Sequence, residues 1–571
     1  MQMYGRRAHA SIALAGLALL AACGAVPETR QAPPEPADII FIGDNIVTMD
    51  GTEATGVAVL GDRIVAVGAV EDILERRTSD TRIVDLGDHT LLPGFIDAHG
   101  HVAVQARLIN LVNLSSPPVG TATSIADIQQ LLRDEIVAKG IPPGQWVIGY
   151  GYDESLLSDQ RHPTRDDLNA VSADHPILLA HVSFHLAAMN SAGLAAYKYD
   201  AATADPAGGR IQRRAGTQEP NGVLEEAAAQ RPMLERILVN DGFEDELRKT
   251  LDLYASYGVT TVQDGGAMMG DVAMMRAAAA REPLPIDLVA YPFLIAMTEE
   301  QRAELRAEDY AGGFRLGGGK FVLDGSIQGK TGYLSEPYAE TTEGEGADYR
   351  GYPAMSVETF QKLSRPFFER DVPLLIHANG DAAIDMMLNG VSNALGEQPS
   401  RDHRTVMIHA QMMRDDQIDR AKALGVIPSY FSAHPFFWGD WHRKILGEER
   451  ASRISPIRTT IEKGVPFTVH NDSPIIPPDM MRLLWVTVNR KARSGYVLGA
   501  DQQATVMEAL YAMTQGAAYQ YFEENEKGSI APGKRADFVI LGENPLTADP
   551  DALKDIPIVE TIARGRTVYP K

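Results

Sequence analysis

The sequence predicts an α/β protein built on a (β/α)8 TIM-like barrel, with a small β-sandwich domain formed by both chain ends. Three observations carry that expectation. Short apolar strands alternate with helical patterns through the middle of the chain, the mark of parallel βαβ units. Both ends instead show short strands cut by Gly and Asp turns. Chemistry-bearing side chains recur directly after the central strands, at the end of a barrel where active sites lie.

The central strands are expected at Gly94–Ala98, Thr260–Gln263, Ile286–Tyr291, Lys320–Leu323, Pro373–Ile376, Thr405–Ile408, Val426–Ser429 and Pro466–Val469. A doubly wound open sheet shares this alternation, because periodicity does not report closure. The stretch from about Leu108 to Ala255 is too long for one βα unit and reads as an inserted subdomain or lid. Short strands over Asp38–Val67 and Arg82–Leu86 match in texture Ala536–Leu541 and Ile558–Tyr569. Residues 38–90 and 526–571 are therefore assigned to the β-sandwich domain, and 91–525 to the barrel with its insertion at about 108–255. No repeat of fixed period is present.

Arg6 and Arg7 precede an apolar run from Ala10 to Ala22, so residues 1–22 have the pattern of an export signal peptide. The run is too short to cross a bilayer comfortably. Leu20-Ala21-Ala22-Cys23 resembles the lipobox of bacterial lipoproteins, which implies a lipidated Cys23 as the mature N-terminus; the alternative is a plain signal peptide with an incidental cysteine. Cys23 is the sole cysteine, so no intramolecular disulfide forms. Residues 23–37 are Pro-rich and suit a tether. The expected location is the bacterial cell envelope, anchored to the membrane through lipid, and Gly24 after the cysteine leans towards the outer membrane. At 44% hydrophobic and 23% charged residues the chain is otherwise ordinary globular protein. A net charge of −23 without clustered Lys or Arg opposes nucleic acid as a partner. A small-molecule substrate is expected instead, and a homo-oligomer is compatible with the sequence.

His99 and His101 close the first central strand in PGFIDAHGHV. Residues two apart on a strand point the same way, so both imidazoles can reach one ion. His377 in PLLIHANGD, His409 in TVMIHAQ and Asp472 in PFTVHNDSP each stand at or just beyond the end of an apolar strand run. Imidazole and carboxylate donors suit Zn²⁺ and similar divalent ions. The competing interpretation is an ordinary polar rim, since any one of these histidines alone is more often structural than a ligand.

With these residues in place the sequence resembles the amidohydrolase superfamily, in particular amidohydrolase family 3, the YtcJ-like enzymes that include N-substituted formamide deformylase. The resemblance runs from about Ala37 to the C-terminus. It rests on PGFIDAHGHV, HVSFHLAAMNSAGL, GGGKFVLDGSIQGKTGYLSEPY, LLIHANGDAAID, HPFFWGD, VHNDSPIIPP and GSIAPGKRADFVIL, in that order. It implies that His99 and His101, with Asp472, bind the more buried metal, and that His377 and His409 bind a second. Lys320, placed at the end of the fourth strand, would bridge them as a CO₂-carboxylated lysine; one metal with an unmodified Lys320 is the alternative. Zn²⁺ is the default cofactor, as one or two ions, although Mn²⁺, Fe²⁺ and Co²⁺ accept similar ligands.

The implied reaction is hydrolysis of a non-peptide C–N bond of N-acyl or N-formyl amide type, with Asp472 as general base and then general acid. Ester, lactone or carbamate hydrolysis is the alternative within enzymes, and a non-catalytic substrate-binding lipoprotein the alternative outside them. Deamination is disfavoured, because His377 is followed by Ala-Asn-Gly-Asp where deaminases of the superfamily carry HxxE. His185, Asp153, Trp438 and His434 match family motifs as substrate-side residues, with Asp440 beside them; His185 is equally a structural candidate. Asp381 reads as a turn-fixing residue, and His470 as a neighbour of Asp472 without an assigned role.

Overall fold

Nine short parallel segments make the centre of the molecule in the computed structural model, which describes residues 35–571 apart from 155, 183, 185, 207–208, 238–242, 341–345 and 397–400. The expected signal segment, Cys23, most of the expected tether and His185 lie outside the described residues. The segments are β1 (Phe95–Asp97), β2 (Val259–Ala267), β3 (Asp287–Pro292), β4 (Phe314–Leu316), β5 (Gly319–Val322), β6 (Leu374–Ala378), β7 (Val406–His409), β8 (Ile427–Tyr430) and β9 (Thr468–Val469). They form two parallel arcs, one in the order β4-β3-β2-β1 and the other β5-β6-β7-β8-β9. Each expected strand position is present to within a few residues.

Most of these segments are buried on both faces, which is why they read as apolar runs and not as alternations. The fourth position is split. Gly317 and Gly318 separate β4 from β5, which opens on Gly319, and a Cβ on Gly318 would lie 2.0 Å from the Pro373 carbonyl oxygen. The chain can turn from one arc into the other there only because no side chain intervenes. At this seam Phe293 bridges to Lys320. At the other seam the Asp472 amide donates to the His99 carbonyl (3.1 Å), and the His101 amide to that of Ser473 (2.7 Å). Helices return the chain between segments, as Val357–Glu369 does before β6, Asp381–Leu395 before β7 and Asp415–Leu424 before β8.

Between the helices Val102–Leu108 and Phe243–Ser256 lies a separate six-stranded sheet, containing Val147–Tyr152 and Ile177–His181 as parallel neighbours. Towards the chain ends, Ile39–Ile42, Gly56–Leu60, Arg63–Gly68 and Arg82–Asp85 form one four-stranded sheet. Thr90–Pro93 joins Phe538–Leu541, Ile558–Ala563 and Arg566–Tyr569 in another. The two share a buried cluster that includes Phe41, Val59, Leu91, Phe538 and Ile562, with Phe41 edge-on to Phe538 at 5.3 Å. Asp287, at the start of β3, ties the C-terminal segment down: Lys527 (2.7 Å), Arg535 (2.8 Å) and Arg564 all pair with its buried carboxylate. Among the described residues no helix is long and apolar enough to cross a membrane.

Candidate metal centre

The site forms where the arcs end. His99 follows β1, and its imidazole is fully buried. Its Nδ1 lies 2.6 Å from Gln263 Oε1 of β2, and its Nε2 lies 3.1 Å from Lys320 Nζ and 3.6 Å from Asp472 Oδ1. The same Asp472 oxygen is 3.2 Å from His101 Nε2. His409 ends β7, and the ligand atoms of His99, His409 and Asp472 all fall within 4.8 Å of one another. The His377 ring packs against that of His409 at 4.5 Å between centroids. Its Nε2 lies 3.2 Å from the Gly325 carbonyl oxygen, to which it can donate, and 3.0 Å from the Asn379 side-chain nitrogen, from which it can accept only in the other tautomer. His101 and His377 are the more exposed members, with side chains 30% and 17% accessible, so the cluster opens on their side.

Backbone conformation contributes to this convergence. His409 (φ 74°) and Asp472 (φ 56°) both adopt left-handed conformations. Such conformations cost a non-glycine residue about 1–2 kcal/mol and cluster at functional sites. They turn the side chains aside from the direction their strands would impose.

Burial dominates the protonation states. It pushes His99 and His409 well below the usual histidine range and His377 down to about 4, so all three imidazoles are neutral and carry a donor lone pair. Burial also lowers the Lys320 amine to about 7, although Asp472 and Asp264 oppose the shift. For Asp472 burial pushes upward, but the neighbouring His101, His470 and Lys320 outweigh it and hold the carboxyl below its ordinary value.

The donors fit a cation. Two ligand atoms at about 2.1 Å from a tetrahedral ion lie about 3.4 Å apart. Asp472 Oδ1 stands at 3.2 and 3.6 Å from two imidazole nitrogens, and it is buried without a hydrogen-bond partner. A buried carboxylate oxygen left unbonded in this way is costly unless a positive charge compensates it. Lys320 is the second residue of β5, not its last, and its long stem carries Nζ to the cluster.

The remaining expected residues separate into two places. Phe431 packs on His470 (5.6 Å), His434 (4.4 Å) and Trp438 (5.9 Å), so His434 and Trp438 form an aromatic wall beside the cluster. Asp153 follows a strand of the six-stranded sheet, where its ligand atom lies within 4.8 Å of those of Glu154 and His181, and the His181 ring bonds to Glu154 at 2.7 Å. Asp440 turns to the Ser494 hydroxyl (2.6 Å) on an exposed surface. Asp381 accepts from the Ser335 amide (2.8 Å) and Arg414 (2.9 Å), which pins the loops around it.

Sequence reasoning left His470 without a role and missed Gln263 and Asp324. His470 joins the cluster through Nε2, 3.2 Å from His409 Nδ1, while its Nδ1 meets Ser429 Oγ at 2.9 Å. Its spacing two before Asp472 was the available signal. Gln263 and Asp324 carried none beyond lying in strand-end motifs. Asp324 accepts the Asn379 amide (2.9 Å) and the Gly380 amide (2.8 Å), and so fixes the turn after His377.

Neutral imidazoles, a carboxylate and a lysine gathered at the C-terminal ends of parallel strands define a metal-ligand type of site. The chain belongs to the amidohydrolase family, whose model matches residues 82–569. An N-substituted formamide deformylase of Arthrobacter pascens is 28% identical over 550 residues, covering 93% of this chain and 98% of that one. A Bacillus subtilis protein named YtcJ is 28% identical over 554 residues, covering 93% and 99%. The fold is shared with the crystal structure of an uncharacterized metal-dependent hydrolase from Pyrococcus horikoshii, with a TM-score of 0.72 at 22% identity over 90% of this chain and 99% of that one.

Proposed function

We propose that this protein is a metal-dependent hydrolase of a non-peptide C–N bond, acting on an N-acyl or N-formyl amide. The observation that carries this reading is Asp472 Oδ1, buried and unbonded at 3.2 and 3.6 Å from two imidazole nitrogens. The two parallel arcs are read as one closed (β/α)8 barrel. The sheets at the chain ends are read as its accompanying β-sandwich domain, and the six-stranded sheet as an inserted subdomain. A lipid anchor at Cys23 in the cell envelope completes the picture.

His99, His101 and Asp472 would hold one divalent cation, and His377 and His409 a second. Such an ion lowers the pKa of a bound water towards neutrality and polarises a carbonyl. Asp472 takes the proton of the attacking water, and later delivers it to the departing nitrogen, which leaves poorly as an amide anion. A Lys320 ammonium would repel the cation, whereas its carbamate would offer two oxygen donors. His434 and Trp438 give the substrate an apolar flank. The 28% identity with a relative named as a formamide deformylase supports a small N-acyl group.

The test is a hydrolysis screen of Zn²⁺-replete protein against N-formyl amides, longer N-acyl amides, esters and lactones, before and after chelation. Chelator-sensitive release of amine from an amide is expected. Turnover confined to esters or lactones, or no chelator-sensitive turnover of any panel member, would overturn the reading.

A further inference from the structure

We infer that Gln263 and Tyr521 form a positioning chain that fixes His99 in one tautomer, with hydrogen on Nδ1 and the Nε2 lone pair turned into the metal centre. The inference rests on the proposed metal function and adds two residues to it.

The hydrogen bonds run inward from the backbone. The carbonyl oxygens of Ala98 (3.2 Å) and Asp97 (3.4 Å) can only accept, so the single proton of the Tyr521 hydroxyl is directed at them. The phenol oxygen then accepts from Gln263 Nε2 at 2.9 Å. That orientation presents Gln263 Oε1 to His99 Nδ1 at 2.6 Å, and an amide oxygen there requires Nδ1 to be the donor. The opposite orientation would set two nitrogens 2.6 Å apart, short for a hydrogen bond between them, and would draw the phenol proton away from both carbonyls. With Nδ1 protonated, Nε2 is the ligand atom, and it is Nε2 that faces Lys320 and Asp472.

The contact is built into the packing. His99, Gln263 and Tyr521 are all buried. A Cβ on Gly265 would lie 2.2 Å from His99 Cε1 and 2.7 Å from Gln263 Oε1, so the ring and the amide share space that no side chain could enter. Outer hydrogen-bond partners of this kind hold a metal-ligating imidazole in orientation, and removing one costs about 10–100-fold in metal affinity.

The experiment measures Zn²⁺ affinity by chelator competition in wild type, Gln263→Leu, Gln263→Glu and Tyr521→Phe, with thermal unfolding of each apo protein. Gln263→Leu is expected to bind roughly 10–100-fold more weakly. Gln263→Glu, whose carboxylate still accepts the Nδ1 hydrogen, should stay within a few-fold of wild type, and Tyr521→Phe should fall between them. Wild-type affinity in folded Gln263→Leu, or equal losses in the Leu and Glu variants, would overturn the inference. Should Gln263→Leu not fold, Tyr521→Phe decides, and wild-type affinity in that variant overturns it. Failure of the wild type itself to bind Zn²⁺ would remove the metal function, and this inference with it.

Discussion

Lys320 Nζ lies 3.1 Å from His99 Nε2 in a fully enclosed setting. Burial brings the amine down to about 7, so a substantial neutral fraction exists at ordinary pH. A neutral amine can attack CO₂ and lose a proton to give a carbamate, which an ammonium cannot do. Bicarbonate supplied during metal loading is therefore expected to raise the metal count per chain in wild type. Lys320→Met should bind less metal and ignore bicarbonate, whereas Lys320→Glu should recover part of the loss without it. Elemental analysis reads each count, and a bicarbonate response preserved in Lys320→Met would contradict the role.

In the proposed reaction Asp472 would both handle the proton of hydrolysis and bind the cation. Asp472→Asn keeps one oxygen donor but cannot take up that proton. A loss of at least about 100-fold in kcat/KM is expected, since general acid–base groups contribute roughly 10²–10⁴-fold. Metal content measured on the same sample separates the two roles. Near-normal turnover would exclude Asp472 as the base.

Gly265 is required by contact, because a methyl there would lie 2.3 Å from His99 Nδ1. Gly265→Ala must displace the His99 ring, the Gln263 amide or the strand. Metal affinity is expected to fall by at least about 10-fold, as for loss of an outer partner of a ligand. The measurement is chelator competition alongside unfolding, and unaltered affinity in the folded variant would refute the steric argument.

The parts of this site legible in the sequence were those tied to strand ends. His99, His409 and Asp472 follow apolar runs, and a strand that delivers a polar residue to one end of a parallel arc needs no long-range information to be recognised. Lys320 was identified only through family resemblance, because a lysine inside GGGKFVLDG looks like any strand lysine. Gln263, Tyr521 and Asp324 were invisible for a different reason. Each acts through a partner distant in sequence, as Gln263 does with Tyr521 across 258 positions, and no local pattern records such pairing. The division of the fourth strand into β4 and β5 was likewise missed. The glycines at 317–319 were visible, but the Pro373 carbonyl that makes glycine necessary at 318 lies in another segment.

Asp287 neutralises three cations beneath the arcs: Lys527, Arg535 and Arg564. Lys527 retains Glu523 at 2.9 Å, but Arg564 and Arg535 depend more on Asp287. Asp287→Ala leaves positive charge buried without its partner, and breaking a buried pair in this way costs roughly 3–5 kcal/mol. Chemical denaturation of the apo protein should show that loss, and a change below about 1 kcal/mol would mean that solvent reaches the network.

His442 offers a pH test away from the proposed ligands. Its ring is fully buried, its Nε2 lies 3.2 Å from Gln411 Nε2, and burial depresses its pKa to about 3. In the unfolded chain the same group titrates near 6.5. Between those values the unfolded state binds a proton that the native state refuses, so stability is complete above about pH 6.5 and declines as pH falls towards 3. His442→Gln removes that proton uptake while keeping a polar group opposite Gln411. The variant's stability should therefore fall less steeply across this window, by up to about 1.4 kcal/mol per pH unit. The slope is the diagnostic, because a packing defect lowers the whole curve without tilting it. His99, His409 and His434 are depressed in the same direction and leave a residual slope in both proteins. Denaturation midpoints at pH 7, 6, 5 and 4 decide the matter, and parallel curves would show that His442 is protonated in the native state.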